Sequence, residues 1–248
     1  MNNQSNRRRS GGRSARREAR SVTVEEAAPY LTRLLKPVEL VSEEGLVAIE
    51  DNAETILEEV GIDFREYPRA LDLLSEAGAE IDGERVRFPR GMCREIIGAS
   101  APTVYTHHAR NPDRSVQVGG DATVFAPAYG PPFVYDLDGG RRYATIADFE
   151  NFVKLTYRTP SLHVSGGTVC EPVDIPVPER HLDMVYAHLR YSDKPFMGSV
   201  TAAERAKDTV EMAELVFGKE FLEENTVVTS LINASSPMAW DSTMLGAA

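Results

Sequence analysis

Three groups of residues in this sequence are of types that can hold a small charged ligand. The first is aromatic. Tyr129, Phe133 and Tyr135 fall in a Gly/Pro-rich stretch, and aromatic faces attract cations by about 0.5–2 kcal/mol each, depending on burial. Rings of this kind are more often packing, so an ordinary strand core stands beside the cation reading. The second group is Gly166-Gly167 with Glu171 close behind. Glycines let backbone approach a ligand and Glu171 is spaced to face a cation, although a plain turn accounts for the same residues. A phosphate cradle fits less well, because Gly166-Gly167-Thr168 runs on through Cys170 to Pro178 rather than into a helix start. The third group is Asn233, Ser235 and Ser236 followed by Trp240. Polar groups there need partners if buried, and packing is an equal account of the indole.

The histidines and cysteines point less far. His163 alternates within an extended run from Leu162 and faces either an enclosed lumen or a satisfied core position. His181 and His188 lie seven apart on one helix and read as structural, while His107-His108 are strand neighbours that face opposite ways, poor geometry for one ion. Asp136-Leu137-Asp138-Gly139 begins like a calcium loop but lacks the later ligands and has the chemistry of a hairpin turn. No metal site is expected. Cys93 and Cys170 lack the close pairing of a zinc or redox motif, so both read as reduced thiols of a cytoplasmic protein.

The elements that position these residues follow from periodicity. Ser42 caps a helix over 42–61 with Leu46, Ile49, Ala53, Ile56, Leu57 and Val60 on one face and Gly61 as its stop. A second helix follows Pro68. Asp82-Gly83 sits between short alternating runs as a hairpin, and a short helix begins at Pro89. Between Thr103 and Tyr143, four short runs separated by Gly and Pro predict antiparallel strands, one of them Phe133 to Asp136. Thr145 and Asp148 start a helix to Tyr157. After Pro160 the pattern alternates: strand Leu162–Ser165, helix Pro178–Tyr191 with Leu182, Val185, Tyr186 and Leu189 inward, strand Phe196–Val200, helix Thr201–Phe217, strand Thr226–Ile232, then a helix from Asp241. Such alternation predicts parallel strands with right-handed crossovers.

The expected fold class is therefore α/β, a partial (β/α) TIM-type barrel preceded by an α+β amino-terminal region. Its divisions are an Arg-rich disordered tail over 1–21, helices and antiparallel strands over 22–160, and three β/α units over 161–248. A full barrel takes about 250 residues, and only 88 follow Pro160. The expectation is the front part of a longer protein or a truncated product of one.

Charge and composition bound the partners. The chain has 248 residues and a net charge of −11, and residues 1–20 carry seven arginines against Glu18, a local +6 that leaves −17 for the rest. An acidic body repels phosphate, which argues against a nucleic-acid-binding domain. No window approaches the roughly 18 uninterrupted apolar residues of a membrane span, and no apolar segment after the arginines suits secretion.

Four ordered segments carry a resemblance: Tyr129-Gly130-Pro131-Pro132-Phe133-Val134-Tyr135-Asp136, Asp148-Phe149-Glu150-Asn151-Phe152-Val153-Lys154-Leu155, Glu179-Arg180-His181-Leu182-Asp183-Met184 and Asp193-Lys194-Pro195-Phe196-Met197-Gly198-Ser199. Together with Leu231-Ile232-Asn233-Ala234-Ser235-Ser236-Pro237, where that family more often has Asn in place of Ser235, the chain from residue 40 onward resembles the trimethylamine methyltransferase family. The resemblance implies a barrel enzyme that moves a methyl group from a methylated amine to the cobalt of a separate corrinoid-binding protein. No cofactor would be bound in this chain, since the cobamide is supplied by that partner. Family members with pyrrolysine demethylate trimethylamine, and those without it resemble glycine betaine and other quaternary amine methyltransferases. A homo-oligomer is expected of the complete protein.

Methyl transfer of this kind asks the protein to hold and align a cation. The expected substrate cradle is Tyr129, Phe133, His163, Gly166, Gly167, Glu171, Asn233, Ser235 and Trp240, with Glu171 the attracting carboxylate. Two other classes compete. One is a non-catalytic fragment that only binds a corrinoid protein, and the other is an unrelated barrel enzyme acting on phosphorylated substrates, which would need a phosphate site in the last barrel units.

Overall fold

The computed structural model describes residues 29–199 and 201–248. The expected tail over 1–21 lies outside the described residues.

The first helix, α1 (Glu43–Thr55), begins where Ser42 Oγ accepts a hydrogen bond from the Gly45 amide at 3.2 Å. It widens into a π turn over Ile56–Val60 and stops at Gly61, whose φ is 75°. Only glycine serves there, because a Cβ would lie 2.4 Å from the Val86 carbonyl oxygen. The chain then lays down β2 (Ile62–Phe64), α2 (Pro68–Glu76) and the expected hairpin of β3 (Glu80–Asp82) and β4 (Arg85–Arg87). Phe64, Ala79, Val86 and Phe88 are buried between this sheet and the helices.

After α3 (Met92–Ser100), the antiparallel region resolves into separate two-stranded pairs. Following β1 (Leu31–Thr32) in the chain, these strands are β5 (Val104–His107) with β6 (Val116–Gly119), β7 (Ala122–Thr123), which pairs back to β1, and β8 (Phe133–Asp136) with β9 (Gly140–Tyr143). Thr145 and Asp148 form the expected reciprocal cap on α4 (Ile146–Arg158), and Arg142 grips the Asp148 carboxylate with two bonds of 2.6 and 2.8 Å. That pairing holds Asp148 well below the usual carboxylate range.

The last part carries α5 (Arg180–Tyr191), β10 (Phe196–Met197), α6 (Ala203–Phe217), α7 (Lys219–Glu224), β11 (Val228–Thr229), β12 (Ala239–Trp240) and α8 (Ser242–Ala247). β10 and β11 are parallel, with Phe196 opposite Val228 and the helices α6 and α7 as crossover. The expected α/β class holds, and of the expected parallel units the described residues show one parallel pair, β10 with β11. The chain is a mixed α/β structure of small sheets, and the described strands form no closed barrel. The strand expected at Leu162–Ser165 is irregular backbone: the amides of His163 and Val164 both turn to the Phe125 carbonyl (2.9 and 3.4 Å), and Gly166 has a φ of 91°. It still runs beside β10, through Ser165 N to Pro195 O (2.7 Å) and Met197 N to Gly166 O (2.8 Å). At the end of the chain, β12 pairs parallel to β2 in the order β12-β2-β4-β3, so residues 239–240 join the amino-terminal sheet.

The inward face of α5 is also rotated from the expected one. His181, Val185, Ala187 and His188 are buried, while Leu182 and Tyr186 are exposed. On α4, Phe149, Val153 and Thr156 are buried and Phe152 is not. No described helix is long and apolar enough to cross a membrane.

Candidate functional site

The parallel pair has one end closed by the chain itself. His107 Nε2 bonds the Val227 carbonyl at 2.9 Å, His108 N bonds Thr226 O at 2.8 Å, and Arg114 pairs with Asp193 at 3.1 Å. The segment around β5 thus covers the residues that enter β10 and β11. The opposite, carboxyl ends are where a ligand would be reached, and the candidate residues sort by their distance from that end.

Tyr129, Gly166 and Gly167 are brought together. The stretch 127–131 crosses the backbone after Ser165, with Gly130 N on Thr168 O at 2.6 Å and Glu171 N on Pro131 O at 3.0 Å. Side chains of this stretch fill the space over the glycines. A Cβ on Gly166 would lie 2.5 Å from Pro127 Cγ, and one on Gly167 would lie 2.1 Å from the Tyr129 hydroxyl oxygen and 3.1 Å from Met197 Cβ. Burial pushes the Tyr129 hydroxyl up from the ordinary phenol range, a shift opposed by a backbone bond at Thr168. The residue nevertheless keeps 41% of its surface open.

Because Gly167 has no left-handed φ, crowding alone forbids a side chain there. Gly167→Ala is expected to lower stability by about 1–3 kcal/mol. It should cost markedly less in a Tyr129→Ala background, as denaturant unfolding of the four proteins would measure. An equal cost in both backgrounds would show that Tyr129 does not occupy that space.

Beneath the glycines stands His188, which no spacing in the sequence marked as part of the site. Its Nε2 bonds the Gly167 carbonyl at 2.8 Å and its Nδ1 meets Ser165 Oγ at 2.7 Å. A carbonyl only accepts, so Nε2 carries the hydrogen and Nδ1 accepts from the serine hydroxyl. The ring is flanked by Phe149, edge-on at 5.3 Å, and by Phe196. Burial pulls its pKa down to about 4, so the imidazole is neutral. His163 is placed two residues before this network's first member, Ser165. Its Nδ1 accepts the Phe125 amide hydrogen at 2.9 Å and its ring lies 5.6 Å from that of Phe125, so it fixes the covering segment.

The other expected residues sit differently. Phe133 is on β8, with the Arg141 guanidinium 3.7 Å over one ring face and Tyr143 at 4.6 Å, so a cation already occupies it. Glu171 is not a free carboxylate: Arg180 donates to it at 2.5 Å, and Arg180 also donates to Ile175 O. Asn233 is exposed. Ser235 exchanges backbone bonds with Ala239 and its hydroxyl lies 3.3 Å from Asp241, an anchor for β12. Trp240 is opposite Phe64 in the amino-terminal sheet and packs in that cluster. The Asp136 carboxylate is taken by the Asp138 and Gly139 amides and by Arg142. Among the described residues no group of three His, Cys, Asp or Glu could hold a metal ion.

With this geometry in hand, comparison with known proteins gives the class. The sequence profile of the trimethylamine methyltransferase family matches residues 9–248, and the chain belongs to that family. It is 45% identical over 216 residues to the glycine betaine methyltransferase of Desulfitobacterium hafniense (strain Y51), a match covering 87% of this chain and 45% of the relative. The chain spans about half the length of that relative.

Proposed function

We propose that the chain serves methyl transfer from a quaternary methylamine of the glycine betaine type to the cobalt of a corrinoid carried by a separate protein. The observation that carries this reading is the 45% identity to a relative named glycine betaine methyltransferase, and the corrinoid acceptor is what the family resemblance implies. In the step, the Co(I) lone pair forms a bond to the methyl carbon, the carbon–nitrogen bond breaks, and its electron pair leaves with the neutral tertiary amine. The cobalt is a co-substrate, so the part of this chain is to hold the cation with one methyl turned outward.

Tyr129 is the group best placed for that work. Its hydroxyl rests on Gly167 while the residue stays part-exposed beside the two glycines. Glu171 contributes less than its charge suggests, because Arg180 neutralises it. The test mixes the protein with the reduced corrinoid protein and glycine betaine and follows methyl-cobalt formation by absorption. Tyr129→Leu is expected to raise KM by about 2–30-fold with a smaller effect on kcat, since the cation is present before transfer and fades in the transition state. Glu171→Gln is expected to change KM little. Corrinoid protein that binds without being methylated by any quaternary amine would favour the binding-only reading instead.

A further inference from the structure

The backbone of Gly166, Gly167 and Thr168 has its carbonyls satisfied and its amides not. Met197 N donates to Gly166 O at 2.8 Å, Val169 N and His188 Nε2 donate to Gly167 O at 2.9 and 2.8 Å, and Gly130 N donates to Thr168 O at 2.6 Å. No backbone carbonyl among the described residues takes any of the three amides. Gly166 and Gly167 are buried, and a buried N–H without an acceptor is rare and costly. The Thr168 amide faces the Tyr129 hydroxyl oxygen, which also rests on Gly167. Gly166 has a φ of 91°, and a left-handed residue in such a run lets successive amides converge on one anion.

We propose that these amides bind the carboxylate of the substrate, at the place that the Tyr129 hydroxyl oxygen holds in the free chain. Resting on the betaine reading above, this names what the anion of that substrate meets. In glycine betaine one methylene separates the carboxylate from the quaternary nitrogen, so an ammonium beside Tyr129 brings its own anion to the glycines. A carboxylate oxygen is a better acceptor there than a phenol oxygen, because its hydrogen bonds are charge-assisted. The donors are also strengthened from behind. The His188 bond to Gly167 O polarises the peptide whose N–H belongs to Thr168, and the Met197 bond to Gly166 O does the same for the N–H of Gly167. A methylated ammonium without a carboxylate leaves these amides unmatched, which makes the glycine backbone the part of the site that selects a betaine.

The test uses the full chain labelled with 15N-glycine, the Gly167 signal being identified by its loss in Gly167→Ala. Glycine betaine should move the Gly167 amide proton downfield, and acetate should move it the same way at higher concentration. Tetramethylammonium, which has the charge and no carboxylate, should leave it in place. Calorimetry adds a second readout. Tyr129→Phe keeps the ring and removes the competing hydroxyl, so it should tighten glycine betaine by about 2–10-fold and change tetramethylammonium by less than about 2-fold. Calorimetric binding of glycine betaine with the Gly167 signal unmoved overturns the proposal and leaves the methyl-transfer reading standing. An equal response to tetramethylammonium, no response to either carboxylate, inorganic phosphate bound more tightly than acetate, or weaker betaine binding by Tyr129→Phe also overturns it. Movement with glycine betaine in a chain that methylates no corrinoid protein upholds the carboxylate site and removes the methyl-transfer reading.

Discussion

Replacing Lys194 by Met should lower the stability of the protein by about 3 kcal/mol or more, and its thermal midpoint by roughly 6–12 °C. Lys194 is 7% exposed. Its Nζ donates to three carbonyls, Thr156 O at 2.8 Å, Thr159 O at 3.0 Å and Leu162 O at 2.6 Å. These are the end of α4 and the turn that follows, where a helix leaves its last carbonyls unpaired and its dipole negative. Burial lowers the lysine pKa to about 8, which leaves the ammonium as the prevailing form at neutral pH. Met matches the stem in shape and offers no donor, so three carbonyls in a poorly hydrated position lose their partner at once. The exposed Lys207 on α6 is the control. Its contact to Glu211 is 3.6 Å long on the surface, and Lys207→Met should change stability by no more than about 0.5 kcal/mol. Equal small effects of the two substitutions in urea unfolding would show that the Lys194 bonds contribute nothing net.

This lysine also explains why the backbone before the candidate site departs from a strand. Alternation in Leu162-His163-Val164-Ser165 reads as β, but the Leu162 carbonyl is turned to Lys194, and the next two amides share one carbonyl of residue 125. Sequence periodicity registers local preference, and these are partners about 32 and 38 residues away along the chain. Where the determinants are local, the reading and the structure agree. Ser42 and Gly61 bound α1, Asp82-Gly83 turns the β3–β4 hairpin, Thr145 and Asp148 cap α4, and Phe133–Asp136 is β8 at the residues expected.

Of the residues expected to form the candidate site, the structure brings Tyr129 together with the two glycines and sets the others apart, for a physical reason. An aromatic or a carboxylate is free for a ligand only if no nearby charge claims it first. Arg141 claims Phe133 across a hairpin, a signal present in the register, since Arg141 falls opposite Tyr135 on the neighbouring strand. Arg180 claims Glu171 from the first turn of α5, nine residues on, with no periodicity to reveal it. The α5 helix shows the same limit in another form. Apolar residues marked 182, 185, 186 and 189 as its inner face, whereas the buried stripe is 181, 185 and 188, turned by one residue. His188 is drawn inward by Ser165 and Gly167, and His181 by Asp208 at 2.7 Å, bonds that outweigh the burial of Leu182.

Acidification should unfold the protein in a window set by two of these histidines. His107 is 2% exposed and His188 3%. Burial takes each from the ordinary 6.5 to about 4, against the smaller opposing effect of a backbone carbonyl. Between those values the unfolded chain holds protons that the folded one does not, so stability rises with pH. The contribution is whole above about pH 6.5 and is lost as pH falls towards 4, by about 3 kcal/mol for each histidine. His163, also lowered by burial, acts in the same direction. The paired carboxylates Asp63, Asp136 and Asp148 are held below their usual range and are lost only at still lower pH, so they leave this window to the histidines. Urea midpoints measured from pH 7 down to 4.5 should fall steadily. His107→Gln and His188→Gln should each start less stable and show a shallower fall, since glutamine can still donate to the Val227 or Gly167 carbonyl but does not titrate. A flat profile in the parent protein, or an unchanged slope in both variants, would remove the histidines as its cause. For His188 the consequence reaches the site. Its protonated ring cannot accept the Ser165 hydroxyl, so the backbone that places Gly166 and Gly167 beneath Tyr129 loosens over the same pH range in which the fold does.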